Sequence, residues 1–154
     1  MAIADTNSII KAYLDTCTTL TALVGTRIYC PRLPENATLP AVSFFSRGGT
    51  STPYIPGLIT PSVQFDCWAK DTEVAGVVTS GFTIARQVYR ALYDNLQGIQ
   101  NQIISYPFPL VFPIIWSYRI MSAIEEVQGQ DLVDELVPNY FRILTFFSIM
   151  IRAE

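Results

Sequence analysis

The sequence predicts an α+β domain: a mostly antiparallel β-sheet with an N-terminal helix and a long central helix packed on it, plus an extended hairpin or arm. Three patterns carry this expectation. Apolar residues recur at helical spacing near the start and again in the middle of the chain. Residues 59–69 and 140–152 alternate in the manner of strands. A proline-interrupted apolar stretch lies between the central helix and the last strand. At 154 residues the chain is most simply one domain, 1–154, and a chain of this size buries roughly two thirds of its unfolded surface.

Asp5 or Thr6 can cap the first helix. Ile9, Ile10, Tyr13, Leu14, Cys17 and Leu20 follow at helical spacing and Gly25 ends the pattern, which reads as a core-facing helix. Pro31, Pro34 and Pro40 fix an extended crossing, and a strand follows over 41–46. The stretch from Arg47 to Gly57, rich in glycine, proline and small polar residues, is predicted as a loop. A contact arm and a plain hairpin connection are both open readings of it. In the strand over 59–69, Val63, Phe65 and Cys67 share one face and Gln64, Asp66 and Trp68 the other. Asp66 has no histidine and no carboxylate partner near it in sequence, so it reads as a strand carboxylate, hydrogen-bonded or exposed.

Asp71 is expected to open the long helix, with Glu73 in its first turn. Val74, Val77, Val78, Gly81, Ile84, Ala85, Val88, Leu92 and Leu96 would form its apolar stripe, and Gly98 closes it. Arg86 and Arg90, four apart, share an exposed side. Short extended pieces over 99–106 and 110–121 follow, interrupted by Pro107, Pro109 and Pro113. Proline in sheets is confined to edges, ends and bulges, so this is the hairpin or arm at the sheet margin. So apolar an edge aggregates if uncovered; a neighbouring subunit is inferred to cover it. Strand character continues over 118–127, Gly129 is expected to break it, and Asp131 to cap a short helical turn over 132–137 ended by Pro138. The final strand, 140–152, is apolar on both faces. It is therefore expected to be central and covered on both sides.

Composition narrows the function. Hydrophobic residues make up 50% of the chain and charged residues only 15%, against about 25% ordinarily; mean hydropathy is +0.31. Either a membrane segment or a large protein interface accounts for this. The charge-free run between Asp94 and Arg119 holds 103–118, too short and too proline-broken for a spanning helix, which needs about 20 apolar residues. Only Lys11 and Lys70 of the ten basic residues are lysines, and arginine is the interface cation. The net charge is −3 with no basic stripe, which argues against tight nucleic-acid binding. Cys17, Cys30 and Cys67, odd in number and scattered, read as reduced and buried, and the first residues lack the pattern of a signal peptide. There is no histidine, so the commonest general base, the usual nucleophilic triads and the usual zinc ligand are missing. No catalytic residue, metal ligand or cofactor is expected. Glu125, Glu126, Asp131, Asp134 and Glu135 cluster in sequence with no base between Arg119 and Arg142. They read as a solvated hairpin end or as the acidic lining of a pore or docking surface, ahead of a carboxylate-based enzyme.

Three segments in order carry a resemblance. Arg27-Ile28-Tyr29 leads through Leu39-Pro40-Ala41-Val42; then comes Val63-Gln64-Phe65-Asp66-Cys67-Trp68-Ala69; then Tyr140-Phe141-Arg142-Ile143-Leu144-Thr145-Phe146. Together with the opening helix they resemble the tail terminator or tail-completion (head–tail joining) proteins of tailed phages. The stretch 103–116 is longer and more apolar than that family's pattern. The resemblance implies a structural virion protein that forms a hexameric ring on the head-proximal end of the tail tube. Such a ring stops tube growth, meets the neck connector and lets genome DNA pass through its channel. The implied partners are copies of itself, the tail tube protein and the connector, with no membrane; the implied place is the virion, assembled in the host cytoplasm. A head-completion or neck connector protein of the portal side is the alternative. On this reading Arg47, Gly48, Gly49, Tyr54, Phe108, Phe112, Trp116 and Arg119 are candidate subunit or tube contacts, and the acidic segment 125–135 faces the channel or a docking partner. Replacing Phe112 and Trp116 with polar residues is expected to leave a folded protein that assembles poorly, which size-exclusion chromatography reads directly.

Overall fold

The computed structural model describes residues 5–107, 115–133 and 140–154. Two helices open the described chain, α1 (Thr6–Asp15) and α2 (Thr18–Val24), where the sequence suggested one. The break has a local cause. Both the N–H and the hydroxyl of Thr16 donate to the Tyr13 carbonyl, at 3.0 and 2.6 Å, a side-chain bond that competes with the helix ladder. Cys17 then turns extended. The apolar stripe survives the break: Ile9, Ile10, Leu14, Leu20 and Val24 are all buried.

The strands are β1 (Ile28–Tyr29), β2 (Ala41–Ser51), β3 (Leu58–Lys70), β4 (Thr72–Val74), β5 (Val77–Thr79), β6 (Gln100–Pro107), β7 (Ile115–Val133) and β8 (Tyr140–Ala153), with helix α3 (Gly81–Leu96) between β5 and β6. Six of them form one sheet in the order β1-β2-β3-β8-β7-β6, while β4 and β5 pair apart as a hairpin. The short β1 runs parallel to β2; the other pairs are antiparallel. The fold is therefore α+β with a mixed, mostly antiparallel sheet.

All three helices lie on one side of this sheet. Val42, Phe44, Val63, Phe65, Cys67, Ile143, Phe147, Ile149 and Ile151 point into a common core with residues such as Leu14, Leu20, Val88, Leu92 and Leu96. Phe44 stacks on Phe65 at 5.6 Å, and Phe65 meets Phe147 edge-on at 5.8 Å. Each such buried side chain contributes roughly 1.5–3 kcal/mol. The β6–β7 pair lies at the margin of the sheet, with β6 as its edge; the connection over 108–114 lies outside the described residues.

Several sequence expectations are corrected. The long helix begins at Gly81, not at Asp71. Residues 72–79 form the β4–β5 hairpin, in which Val74, Val77 and Val78 are 74%, 67% and 65% exposed rather than core. The turn residues Ala75 and Gly76 both have positive φ (52° and 79°), the geometry of a tight two-residue hairpin. Asp71 still serves α3: its carboxylate accepts the Gly81 N–H at 2.7 Å, from ten residues upstream. Arg47 to Ser51 continue β2, so the connection to β3 shrinks to residues 52–57. Gly129 and Asp131 lie within β7, which continues to Val133; Asp131 and Leu132 pair with Ile143 and Arg142 of β8 and start no helical turn within the described residues. Finally, β8 is central, between β3 and β7, but the described chain covers only one of its faces.

Gly48 and Gly49 are explained by a bulge. The β2–β3 register slips between Ser46 and Gly49, so Arg47 and Gly48 face one residue, Ser62. Next to the bulge sits Pro61, which has no N–H to give a ladder. Gly49 has φ +131°, and a Cβ there would lie 2.3 Å from the Thr60 carbonyl oxygen; at Gly48 (φ +105°) the space is open. Gly49→Ala is expected to lower stability by about 2–3 kcal/mol, and Gly48→Ala by about 1 kcal/mol, from strain alone. Urea unfolding of the two variants measures the difference.

Candidate functional site

The alternation of β2, β3 and β8 that builds the core also places a second set of residues on the opposite sheet face. Ser43 and Phe45 of β2, Gln64, Asp66 and Trp68 of β3, and Arg142, Leu144, Phe146 and Met150 of β8 stand there in register: Phe45 opposite Gln64, Gln64 opposite Phe146, Asp66 opposite Leu144, Trp68 opposite Arg142. No described helix lies over this face. Leu144, Phe146, Met150 and Trp68 remain half-buried.

Two arginines roof the centre of the face. Arg47, aimed across the sheet by the bulge, lies over the Phe146 ring at 5.1 Å and donates to Gln64 Oε1 at 3.2 Å. Arg142 lies over Trp68 at 5.2 Å, and Trp68 Nε1 donates to Ser43 Oγ at 2.9 Å. Arginine on an aromatic face is attractive by roughly 0.5–1 kcal/mol or more. Beneath them Gln64 Nε2 donates to Asp66 Oδ2 at 3.0 Å. Asp66 is only 4% exposed. Its Oδ1 has no hydrogen bond among the described residues and lies 3.8 Å from Arg142 Nη1. Burial raises the carboxyl above its ordinary range, and the Gln64 bond and the Arg142 charge offset this in part. Asp66 is thus a buried strand carboxylate in a polar line, with no second acid against it among the described residues.

The acids anticipated as one segment divide between the two faces. Glu126 accepts from Ser62 Oγ at 2.8 Å on the open face. Glu125 sits on the helix side, where its Oε2 accepts from the Tyr89 hydroxyl (2.7 Å) and Thr145 Oγ1 (2.9 Å). Asp131 is paired with Arg86 of α3. Asp134 and Glu135 lie outside the described residues. Burial, then the Glu125 carboxylate, push the Tyr89 phenol up to about 12, so Tyr89 holds Glu125 as a donor and is no base. The groove beside it, about 610 Å³ between α3 and β7, is lined among the described residues by one acid, Glu125, together with Arg86, Arg90, Tyr89 and Tyr93. That is not the paired-carboxylate geometry of acid–base hydrolysis. No cluster of three metal-ligating side chains occurs among the described residues. None of the described helices is long and apolar enough to cross a membrane.

Of the candidate contact residues, Arg47 joins the open face and Gly48 and Gly49 build the bulge that aims it. Tyr54 is 90% exposed at the tip of the β2–β3 connection. Arg119 is engaged within the chain, its guanidinium bound at 2.6 and 3.2 Å to both carboxylate oxygens of Glu154. Trp116 falls in β7; Phe108 and Phe112 lie outside the described residues. The sequence reading missed Trp68, Phe146 and Arg142 as members of one surface, although the two-faced apolar alternation of 140–152 pointed to it.

No protein-family model and no curated protein matches this chain.

Because the folded carboxyl of Asp66 is raised, its protonated form is the one the fold favours. Its stabilising contribution is fully present below the ordinary carboxylate value of about 3.9 and is lost as pH rises through the folded value. Asp66→Asn is therefore expected to raise the melting temperature at pH 7, and the gain is expected to shrink as pH falls through the folded value and to be gone below about 4. Thermal melts of both proteins across pH 3–8 check this.

Proposed function

We propose that this chain is a structural virion protein. Copies close into a hexameric ring at the head-proximal end of a phage tail tube, terminate tube polymerisation and join the tail to the neck, with DNA passing through the channel. It catalyses no reaction. The observation that carries this reading is the second face of the sheet across β2, β3 and β8: apolar and arginine-bearing, with no helix of the described residues over it, in a chain of only 15% charged residues. Enrichment of aromatics, Met and Arg with few lysines is the composition of interface cores.

Further support comes from the ordered resemblance of residues 27–42, 63–69 and 140–146 to tail terminator proteins. In the fold these segments are not scattered: β1, β2, β3 and β8 are consecutive neighbours of one sheet. A head-to-tail contact between two different surfaces closes into a ring when its rotation permits. Acids on a channel wall would repel DNA phosphates and keep transit free of sticking; Glu126 and the segment beyond it are the candidates.

Electron microscopy of the purified protein, over a range of concentrations, tests the reading. Rings of uniform size with a central hole are expected. Single copies at every concentration, and also after mixing with tail tube protein, would overturn it.

A further inference from the structure

We propose that the β4–β5 hairpin is the donor half of the contact between copies, and that it docks on the open sheet face of the next copy, around Arg47, Phe146, Arg142 and Trp68. This rests on the ring reading and names the two surfaces that mate in it.

The hairpin is short, three residues a strand, and pairs with no other strand of the described chain. Its register puts Glu73 opposite Val78 on one face and Val74 opposite Val77 on the other. All three valines are exposed, each by about two thirds or more. An isolated two-stranded hairpin is at best marginally stable in water, and β-branched residues contribute to strand stability chiefly by packing against neighbours. Val74, Val77 and Val78 stay largely exposed rather than packed against other described residues, and the tip of Ala75 and Gly76 carries little side-chain bulk to obstruct an approach.

The occupant is set by complementarity. The hairpin offers apolar side chains and one carboxylate, Glu73, which makes no ion pair among the described residues. The open face offers apolar and aromatic side chains and two guanidinium groups. Among the described residues Arg47 makes one hydrogen bond, to Gln64. Arg142 reaches Asp66 only at 3.8 Å. Both are already held by their aromatic rings, so little freedom is lost when a carboxylate pairs with them. The two surfaces differ in shape and charge, so the contact is heterologous, as a closed ring requires. A second copy of the chain brings the hairpin and the face together in equal number.

Two variants separate the halves. Val74→Asp with Val78→Asp spoils the hairpin at exposed positions and should leave the fold intact. Arg47→Glu with Phe146→Asp spoils the face. At a concentration where the wild-type protein forms rings, sedimentation velocity is expected to find each variant as single copies. Mixed in equal amounts they are expected to form pairs of one copy each and nothing larger, because one good hairpin meets one good face. If the face variant loses its circular dichroism signal, charge reversal decides instead. Glu73→Arg alone should weaken assembly at least tenfold, and Glu73→Arg with Arg47→Glu should recover part of it. Rings formed by the hairpin variant, or no pairing in the mixture of folded variants, would overturn the docking while leaving the ring reading intact. Failure of the wild-type protein to form rings would instead remove the reading on which it rests.

Discussion

Strand β8 has hydrogen-bonded neighbours on both edges, and every residue in it is therefore committed to one of two faces. Ile143, Thr145, Phe147, Ile149 and Ile151 are buried against the helices. Arg142, Leu144, Phe146 and Met150 have no freedom but to face the other way. A shift of one residue would exchange the two sets and put Arg142 into the core. The register is held by the Phe44–Phe65–Phe147 cluster spanning β2, β3 and β8. The open face is a consequence of that core: once the core is packed, the apolar surplus of β8 points away from every described helix.

Bulges shape the sheet on either side of β8. In β2 the bulge at Arg47-Gly48 accommodates Pro61 and turns the arginine over Phe146. In β7 the register slips twice between Glu125 and Gln130. The carbonyl of Val127 and the Glu125 carboxylate each lie 2.9 Å from Thr145 Oγ1 as alternative acceptors of its one proton, and the Gly129 N–H donates to the Tyr89 hydroxyl at 3.2 Å. Between these two acceptors the hydroxyl of Thr145, fully buried in the middle of β8, is satisfied. Tyr89 thus ties α3 to the slipped part of β7, and Gly129 is there because a Cβ would lie 2.8 Å from the tyrosine ring.

The sequence was most readable where one period dominates. The alternation of 63–69 and 140–152 placed both strands, their faces and the central position of β8. Helical spacing failed in two places for different reasons. Val74, Val77 and Val78 fit a helix stripe by coincidence of spacing, while the β-branched runs flanking Ala75-Gly76 carry the signal of a hairpin turn. At Thr16 a hydroxyl bond within one turn outweighed an uninterrupted apolar stripe. Gly129 looked like a breaker because glycine is usually read from its conformational freedom; in β7 it is required by the approach of Tyr89. The open face was legible only in part. The sequence marked both sides of β8 as apolar, but which side the helices would leave bare depends on contacts of residues far apart in the chain.

On the proposed ring reading, two conditions explain why arginine roofs this face and not lysine. A copy not yet assembled would have to keep Trp68 and Phe146 from sticking indiscriminately; an assembled copy would need the same residues in contact with its neighbour. A planar guanidinium lying on a ring meets both. It shields the aromatic face from water while alone, and it keeps unused N–H donors directed outward for a carboxylate. A lysine ammonium, compact and strongly hydrated, would stand away from the ring and leave it bare. Asp66 beneath sharpens the arrangement. Its Oδ1 lies 3.8 Å from Arg142 Nη1, a charge contact beneath the guanidinium without a direct hydrogen bond. The low charge of the chain, its preference for arginine and its single buried acid on the open face are in this sense one adaptation. On the proposed reading they would permit an apolar surface to exist before its partner arrives.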